Sequence, residues 1–145
     1  MRKFVLLCCV PFLLTLCALA QNVEVSGAYS HLTPGKDGFD FSTAYLATKH
    51  LGLEGDAGGY YATGDHVYDL MAGPKIMFST HDALFTPYAH LLVGMAHEGN
   101  SYVGVLPGGG VDIGSKLIAL RLKLDALHFN GGTHARAGMG VVVRW

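Results

Sequence analysis

From Gln21 onward the side chains of this chain alternate between apolar and polar with a period of two, and the charges keep to one parity. Over 134–145, Ala135, Ala137, Met139, Val141, Val143 and Trp145 share one parity, while His134, Arg136, Gly138, Gly140, Val142 and Arg144 share the other. Leu120, Leu122 and Leu124 oppose Arg121, Lys123 and Asp125. Leu51, Leu53 and Ala57 oppose Glu54 and Asp56, and Leu70, Ile76 and Phe78 oppose Asp69 and Lys75. Glu24, Asp40 and Asp112 also fall opposite the apolar members of their own segments. A soluble barrel or sandwich alternates too, but it turns its apolar residues inward and scatters charge over a wet outer face. A parity that is apolar and free of charge is what a lipid-facing wall requires.

The periodic segments fall at 23–30, 39–48, 51–61, 66–78, 84–96, 103–113, 117–128 and 134–145. A tilted strand crosses a bilayer in ~9–11 residues. The expected fold is therefore all-β, an eight-stranded antiparallel up-and-down transmembrane β-barrel. The connections 30–38, 62–65, 97–102 and 129–133 read as longer outer loops, and 49–50, 79–83 and 114–116 as shorter periplasmic turns. Tyr29, Phe39, Tyr61 and Tyr68 on the apolar parity predict one interfacial girdle, and Tyr45, Phe78, Phe85 and Trp145 a second. Pro74 and Pro87 fall inside predicted strands, where a missing ladder donor predicts bulges or strand ends.

The N-terminus has a different pattern. Arg2 and Lys3 precede the apolar run from Phe4 to Leu16, and Ala18-Leu19-Ala20 forms a small-residue cleavage site. This is the layout of a secretory signal peptide over 1–20, with the barrel domain over 21–145. Cys8, Cys9 and Cys17 all lie in that leader, so the exported part has no disulfide and no thiolate metal site. Loss of Arg2 and Lys3 leaves eight basic against eleven acidic residues. That balance excludes the basic face of a nucleic-acid binder.

The last segment carries a more specific pattern. Arg136, Gly138, Val141, Val143 and the aromatic Trp145 are spaced as polar, glycine, apolar, apolar and closing aromatic. This is similar to the C-terminal insertion signal read by the barrel assembly machinery, which templates an exposed strand edge. Val23-Glu24-Val25-Ser26-Gly27-Ala28-Tyr29-Ser30 resembles the first strand of the outer membrane protein A-like and opacity-like barrel family. Gly73-Pro74-Lys75, Thr86-Pro87-Tyr88-Ala89, Gly108-Gly109-Gly110-Val111-Asp112, Ile118-Ala119-Leu120-Arg121 and Gly131-Gly132-Thr133 resemble a compact, acidobacterial-type subgroup. The resemblance implies a Gram-negative cell envelope, with outer-membrane lipids and the assembly machinery as partners. It implies no particular activity and names no extracellular partner.

Candidate chemistry is sparse. Five of the eight histidines, His31, His66, His97, His128 and His134, lie in or beside predicted outer loops, with no helical metal-ligand spacing. Pro107-Gly108-Gly109-Gly110 lacks the lysine and helix of a phosphate loop. Ser30-His31 and Ser79-Thr80-His81 have no well-placed acid for a Ser–His–acid enzyme, and no cofactor motif is present. The expected site is instead a lumenal ion-pair network. In it, Lys75, Arg121, Lys123, Arg136 and Arg144 neutralise Glu24, Glu54, Asp56, Asp69, Asp112 and Asp125. An eight-stranded barrel is just wide enough for side chains to fill it, so the expected function is non-enzymatic, structural or surface-interacting, with a plugged interior. Two alternatives remain open: a soluble periplasmic or secreted barrel binding a small apolar ligand, and a barrel enzyme acting on lipid A.

Overall fold

Strands that cross lipid can leave no backbone donor or acceptor unpaired, so the sheet must close on itself. The computed structural model describes residues 22–79 and 83–145, and among them the sheet does close. Strands β1 (Val23–Leu32), β2 (Lys36–Leu46), β3 (Leu51–Ala62), β4 (Asp65–Met77), β5 (Phe85–Glu98), β6 (Asn100–Gly114), β7 (Ile118–Phe129) and β8 (Gly132–Arg144) follow in order round the barrel. Every pair is antiparallel, and β8 closes on β1 from Glu24↔Arg144 to Leu32↔Arg136. The leader expected over residues 1–20, and Thr80 and His81, lie outside the described residues.

The connections differ from the expected pattern. The four at the end away from the chain termini are single turns, at 33–35, 63–64, 99 and 130–131. Those at the terminal end span 47–50, 78–84 and 115–117. The expected outer loops 30–38 and 97–102 are mostly strand, paired as His31↔Asp37 and His97↔Ser101. Polar, glycine-rich composition does not prevent pairing where strands project beyond lipid into water. At 130–131, Asn130 and Gly131 take φ of 50° and 73°, the two left-handed residues of a type I′ hairpin that matches strand twist.

The prolines also depart from expectation. Pro74 pairs opposite Leu53 and Pro87 opposite Val111 with no shift of register, so neither marks a bulge or a strand end, although the β4–β5 ladder has a gap at Pro74 between Ala72↔Val93 and Lys75↔His90. Pro107 behaves likewise opposite Leu91. All three rings sit exposed on the outward parity. Each removes one donor from the ladder, and each presents an apolar ring to the wall.

The wall is apolar between the two rims. Leu70 and Val103 are 69% and 77% exposed, and Phe41, Leu53, Val93, Leu124 and Met139 are exposed with them. Tyr45, Phe78, Phe85 and Trp145 edge the terminal end. At the hairpin end, Tyr29 meets Phe39 edge-on at 5.6 Å and Tyr61 meets Tyr68 at 5.7 Å. These aromatics occupy β1 to β4 only, so the hairpin girdle is half a ring; Met95, Val103, Ala126 and Ala135 take the corresponding outward places on β5 to β8.

Candidate functional site

Alternation sends the odd-numbered side chains of β7 and the even-numbered ones of β8 into one narrow lumen and the other set onto the wall, and the charges go inward. Arg121, Lys123, Asp125, Arg136 and Arg144 are all buried, as are Glu24, Glu54, Asp56, Asp69, Lys75 and Asp112. The structure brings all eleven together, with Asp40 as a further acidic member.

Near the terminal end, the Glu24 carboxylate accepts from Lys75 Nζ at 2.6 Å, Arg144 Nε at 2.8 Å and Arg121 Nη2 at 3.3 Å. Arg121 grips Asp112 with two parallel bonds, Nε and Nη2 each at 2.8 Å, and Arg144 donates to the same carboxylate. Fork-on-fork pairing of this kind fixes orientation as well as charge. Tyr88 packs against two cations, with Lys75 Nζ and the Arg121 guanidinium carbon each 4.6 Å from its ring centre.

Towards the hairpin end, Arg136 donates from Nε to Asp125 at 2.8 Å, and from Nη1 to Asp56 and the Tyr60 hydroxyl at 2.7 and 2.8 Å. Lys123 donates to Asp40, which also accepts from the Ser30 hydroxyl. Asp69 is the least engaged member: its nearest cation is Arg136 Nη1 at 3.7 Å, and neither oxygen accepts a hydrogen bond.

His90 joins the two tiers. Its Nδ1 faces Glu54 Oε1 at 3.4 Å and its Nε2 faces Asp125 Oδ1 at 3.1 Å. With it the network draws at least one side chain from each of the eight strands, and β5 contributes no other charged member. Sequence reasoning missed His90 because it counted only fixed charges. The available signal was its parity, opposite to Leu91 and Val93. It missed Lys36 by assigning 30–38 to a loop; Lys36 is buried under the hairpin rim and paired with Asp65 at 2.7 Å and with Glu98.

The inward face is not polar throughout, contrary to the simple parity picture. Leu32, Tyr60, Val67, Met71, Leu92, Ala96, Leu106, Leu127 and Phe129 pack as an apolar layer above the ion pairs, and a smaller cluster of Leu46, Met77 and Tyr88 lies towards the other end. The charges thus lie beneath one apolar layer, while Glu24 and Arg144 line a small recess beside Trp145 at the terminal end. Glycine makes the remaining room: a Cβ on Gly138 would meet the Ser30 hydroxyl and Lys123 Cε, the latter at 3.0 Å, and one on Gly108 would meet the Asp125 carboxyl. Gly138→Val is therefore expected to destabilise the barrel by about 1–3 kcal/mol through overpacking. Urea unfolding in lipid vesicles checks this, and an unchanged midpoint would show that Lys123 has free space to move.

In β8 the insertion-signal residues divide between the two faces. Arg136 and Gly138 point into the lumen, while Val141 and Val143, with Trp145 just beyond the strand, face outward. The histidines of the hairpin rim form no metal cluster among the described residues. His97 Nδ1 lies 3.0 Å from the Ser101 hydroxyl. Among the described residues no carboxylate reaches its ring; His31, expected to lack an acid, does have Asp37 at 2.7 Å from Nδ1, but Ser30 points to the opposite face and donates to Asp40.

A closed eight-stranded barrel with charges inside and an aromatic-edged apolar wall outside is a transmembrane barrel of the outer-membrane class, in contact with membrane lipid. Solved structures share this architecture. The N-terminal β-barrel domain of Pseudomonas aeruginosa OprF is 18% identical with a TM-score of 0.70, covering 86% of this chain and 98% of that one. Neisserial surface protein A is 19% identical with a TM-score of 0.61, covering 85% and 96%. The outer membrane enzyme PagL is 9% identical with a TM-score of 0.56, covering 84% and 99%. At these identities the likeness is one of fold, and the fold hosts more than one function. No protein-family model matches the chain, and no curated protein matches it in sequence.

Proposed function

We propose that this protein is a non-catalytic structural barrel of the outer membrane whose interior is closed to solutes. The observation that carries this reading is the ion-pair network drawn from all eight strands and covered by an apolar layer towards the hairpin end. A conducting barrel needs a continuous wet path, and here buried guanidinium, carboxylate and aromatic groups occupy the axis. Single-turn connections at the hairpin end leave little loop surface for an adhesive role, so an envelope-supporting role fits better than a surface-interaction one. Arg136, Gly138, Val141, Val143 and Trp145 are proposed to serve the barrel assembly machinery before closure. The support is that β8 pairs with β1 to close the barrel, so its edge is open until closure.

Purified protein in planar bilayers is expected to show no large, steady conductance. Porin-sized steps from the unmodified chain would overturn the closed interior and move the function to passive transport. The lipid-facing assignment has its own check, since the protein should stay with membranes through carbonate washing.

A further inference from the structure

Outward-facing positive charge is absent from the hairpin rim except where histidine supplies it. Among the described residues Lys75, Arg121, Lys123, Arg136 and Arg144 are buried in the lumen, Lys36 is buried beneath the rim, and Lys49 and Lys116 lie in the turns at the opposite end. His31, His66, His97 and His128, by contrast, are exposed on the outward parity of β1, β4, β5 and β7. Each stands two residues beyond a wall residue: Tyr29, Tyr68, Met95 and Ala126 respectively. Two residues of a tilted strand raise a side chain by roughly 5 Å. On β1 and β4, where Tyr29 and Tyr68 belong to the aromatic half-girdle, that height is the headgroup layer, and His97 and His128 stand one such step above Met95 and Ala126.

The surroundings of these rings leave them open to solvent and lipid. His31 Nδ1 meets Asp37 at 2.7 Å, and Asp37 also faces the Tyr29 hydroxyl. The His66 ring lies 5.3 Å from that of Tyr68, tilted by 56°, and Tyr68 stands across the ladder from His97. His97 bonds Ser101, and His128 bonds Thr133 at 2.7 Å. The carboxylates next in sequence to His66 and His97, Asp65 and Glu98, are both tied to Lys36. His134 is set apart: its ring stacks on Phe129 at 4.9 Å, and its Nδ1 faces the Thr33 carbonyl.

We infer that His31, His66, His97 and His128 form a protonation-gated contact for the phosphate groups of lipids in the leaflet at the hairpin rim. With neutral imidazoles this rim holds Lys36 against Asp37, Asp65 and Glu98, a net charge of −2; protonation of the four histidines turns it to +2. Imidazole is the side chain that can gain charge on mild acidification, so the reversal is sought between pH 7.5 and pH 5. Lipid phosphates stay anionic over that range. A cation at the headgroup layer attracts them, whereas a neutral ring does not. This rests on the lipid-facing reading of the wall, and the test keeps the two separable.

The full exported chain is reconstituted in phosphatidylcholine bilayers carrying spin-labelled phosphatidylglycerol or spin-labelled phosphatidylcholine. Electron paramagnetic resonance then gives the relative association of the two lipids at pH 7.5 and pH 5. The expected result is little selectivity at pH 7.5 and roughly threefold preference for phosphatidylglycerol at pH 5. The quadruple variant H31Q/H66Q/H97Q/H128Q should lose that rise, while H97K/H128K should show preference at both pH values. A rise retained by the quadruple glutamine variant, or none in the unmodified protein, overturns the proposal. So does its abolition by inorganic phosphate but not by chloride of equal ionic strength, which assigns the histidines to a soluble anion. Flotation with the vesicles at both pH values is the separate control: failure to float removes the lipid-facing reading itself.

Discussion

Arg136→Ala is expected to destabilise the barrel by about 3–5 kcal/mol, the range for removing one partner of a buried ion pair. Arg136 is fully buried and serves Asp125, Asp56 and Tyr60 at once, with Asp69 behind them. Truncation leaves those carboxylates facing one another under an apolar cap, where water cannot reach them cheaply. The loss should be smaller when a carboxylate leaves with its cation, because the paired change removes the orphaned charge rather than the favourable contact alone. Arg136→Met combined with Asp125→Asn is therefore expected to recover part of the stability lost in the single variant. Equilibrium unfolding in vesicles, followed by the mobility difference between folded and unfolded protein, measures both. An Arg136→Ala barrel within about 1 kcal/mol of the unmodified protein would mean the network is hydrated and its charges independently solvated.

Leu122→Arg should be nearly as damaging for the opposite reason. Leu122 is on the outward parity of β7, between Leu120 and Leu124, with Met139 beside it on β8 and Val111 on β6. An arginine at the middle of the lipid face costs about 2–4 kcal/mol, since its charge has neither water nor a carboxylate within reach. Lys123, one residue along, points inward to Asp40 and Asp56. Lys123→Gln keeps donors for those acids and is expected to insert normally with a smaller loss. Membrane-inserted yield and unfolding free energy for both variants decide the matter. Equal losses would mean that the two parities do not separate lipid from lumen.

Much of this architecture is legible one residue at a time. Side chains of a strand point to alternate faces whatever the partner strand is, so Leu122 and Lys123 could be assigned to opposite faces before any pairing was known. The same local rule located all eight strands and separated Glu24 or Arg144 from the wall. It failed where the signal was compositional. The polar stretch 97–102 read as a loop, yet it forms a hairpin pivoting on Gly99, because backbone pairing beyond the bilayer does not require apolar side chains. Pro74 and Pro87 read as interruptions, yet the register runs through them.

The sequence by itself determined the strands, their facing and most of the charges that had to be hidden, because each follows from a two-residue period and the exclusion of unpaired charge from lipid. Only the tertiary structure decided which charges meet. Lys75 on β4 reaches Glu24 on β1, and Arg136 on β8 reaches Asp56 on β3, across a lumen whose width and stagger exist only after closure. Closure likewise placed His90 between Glu54 and Asp125 and sealed the ion pairs beneath Leu92, Leu127 and Phe129. Those contacts join residues far apart in the chain, and no periodicity along a single strand contains the stagger that brings them together.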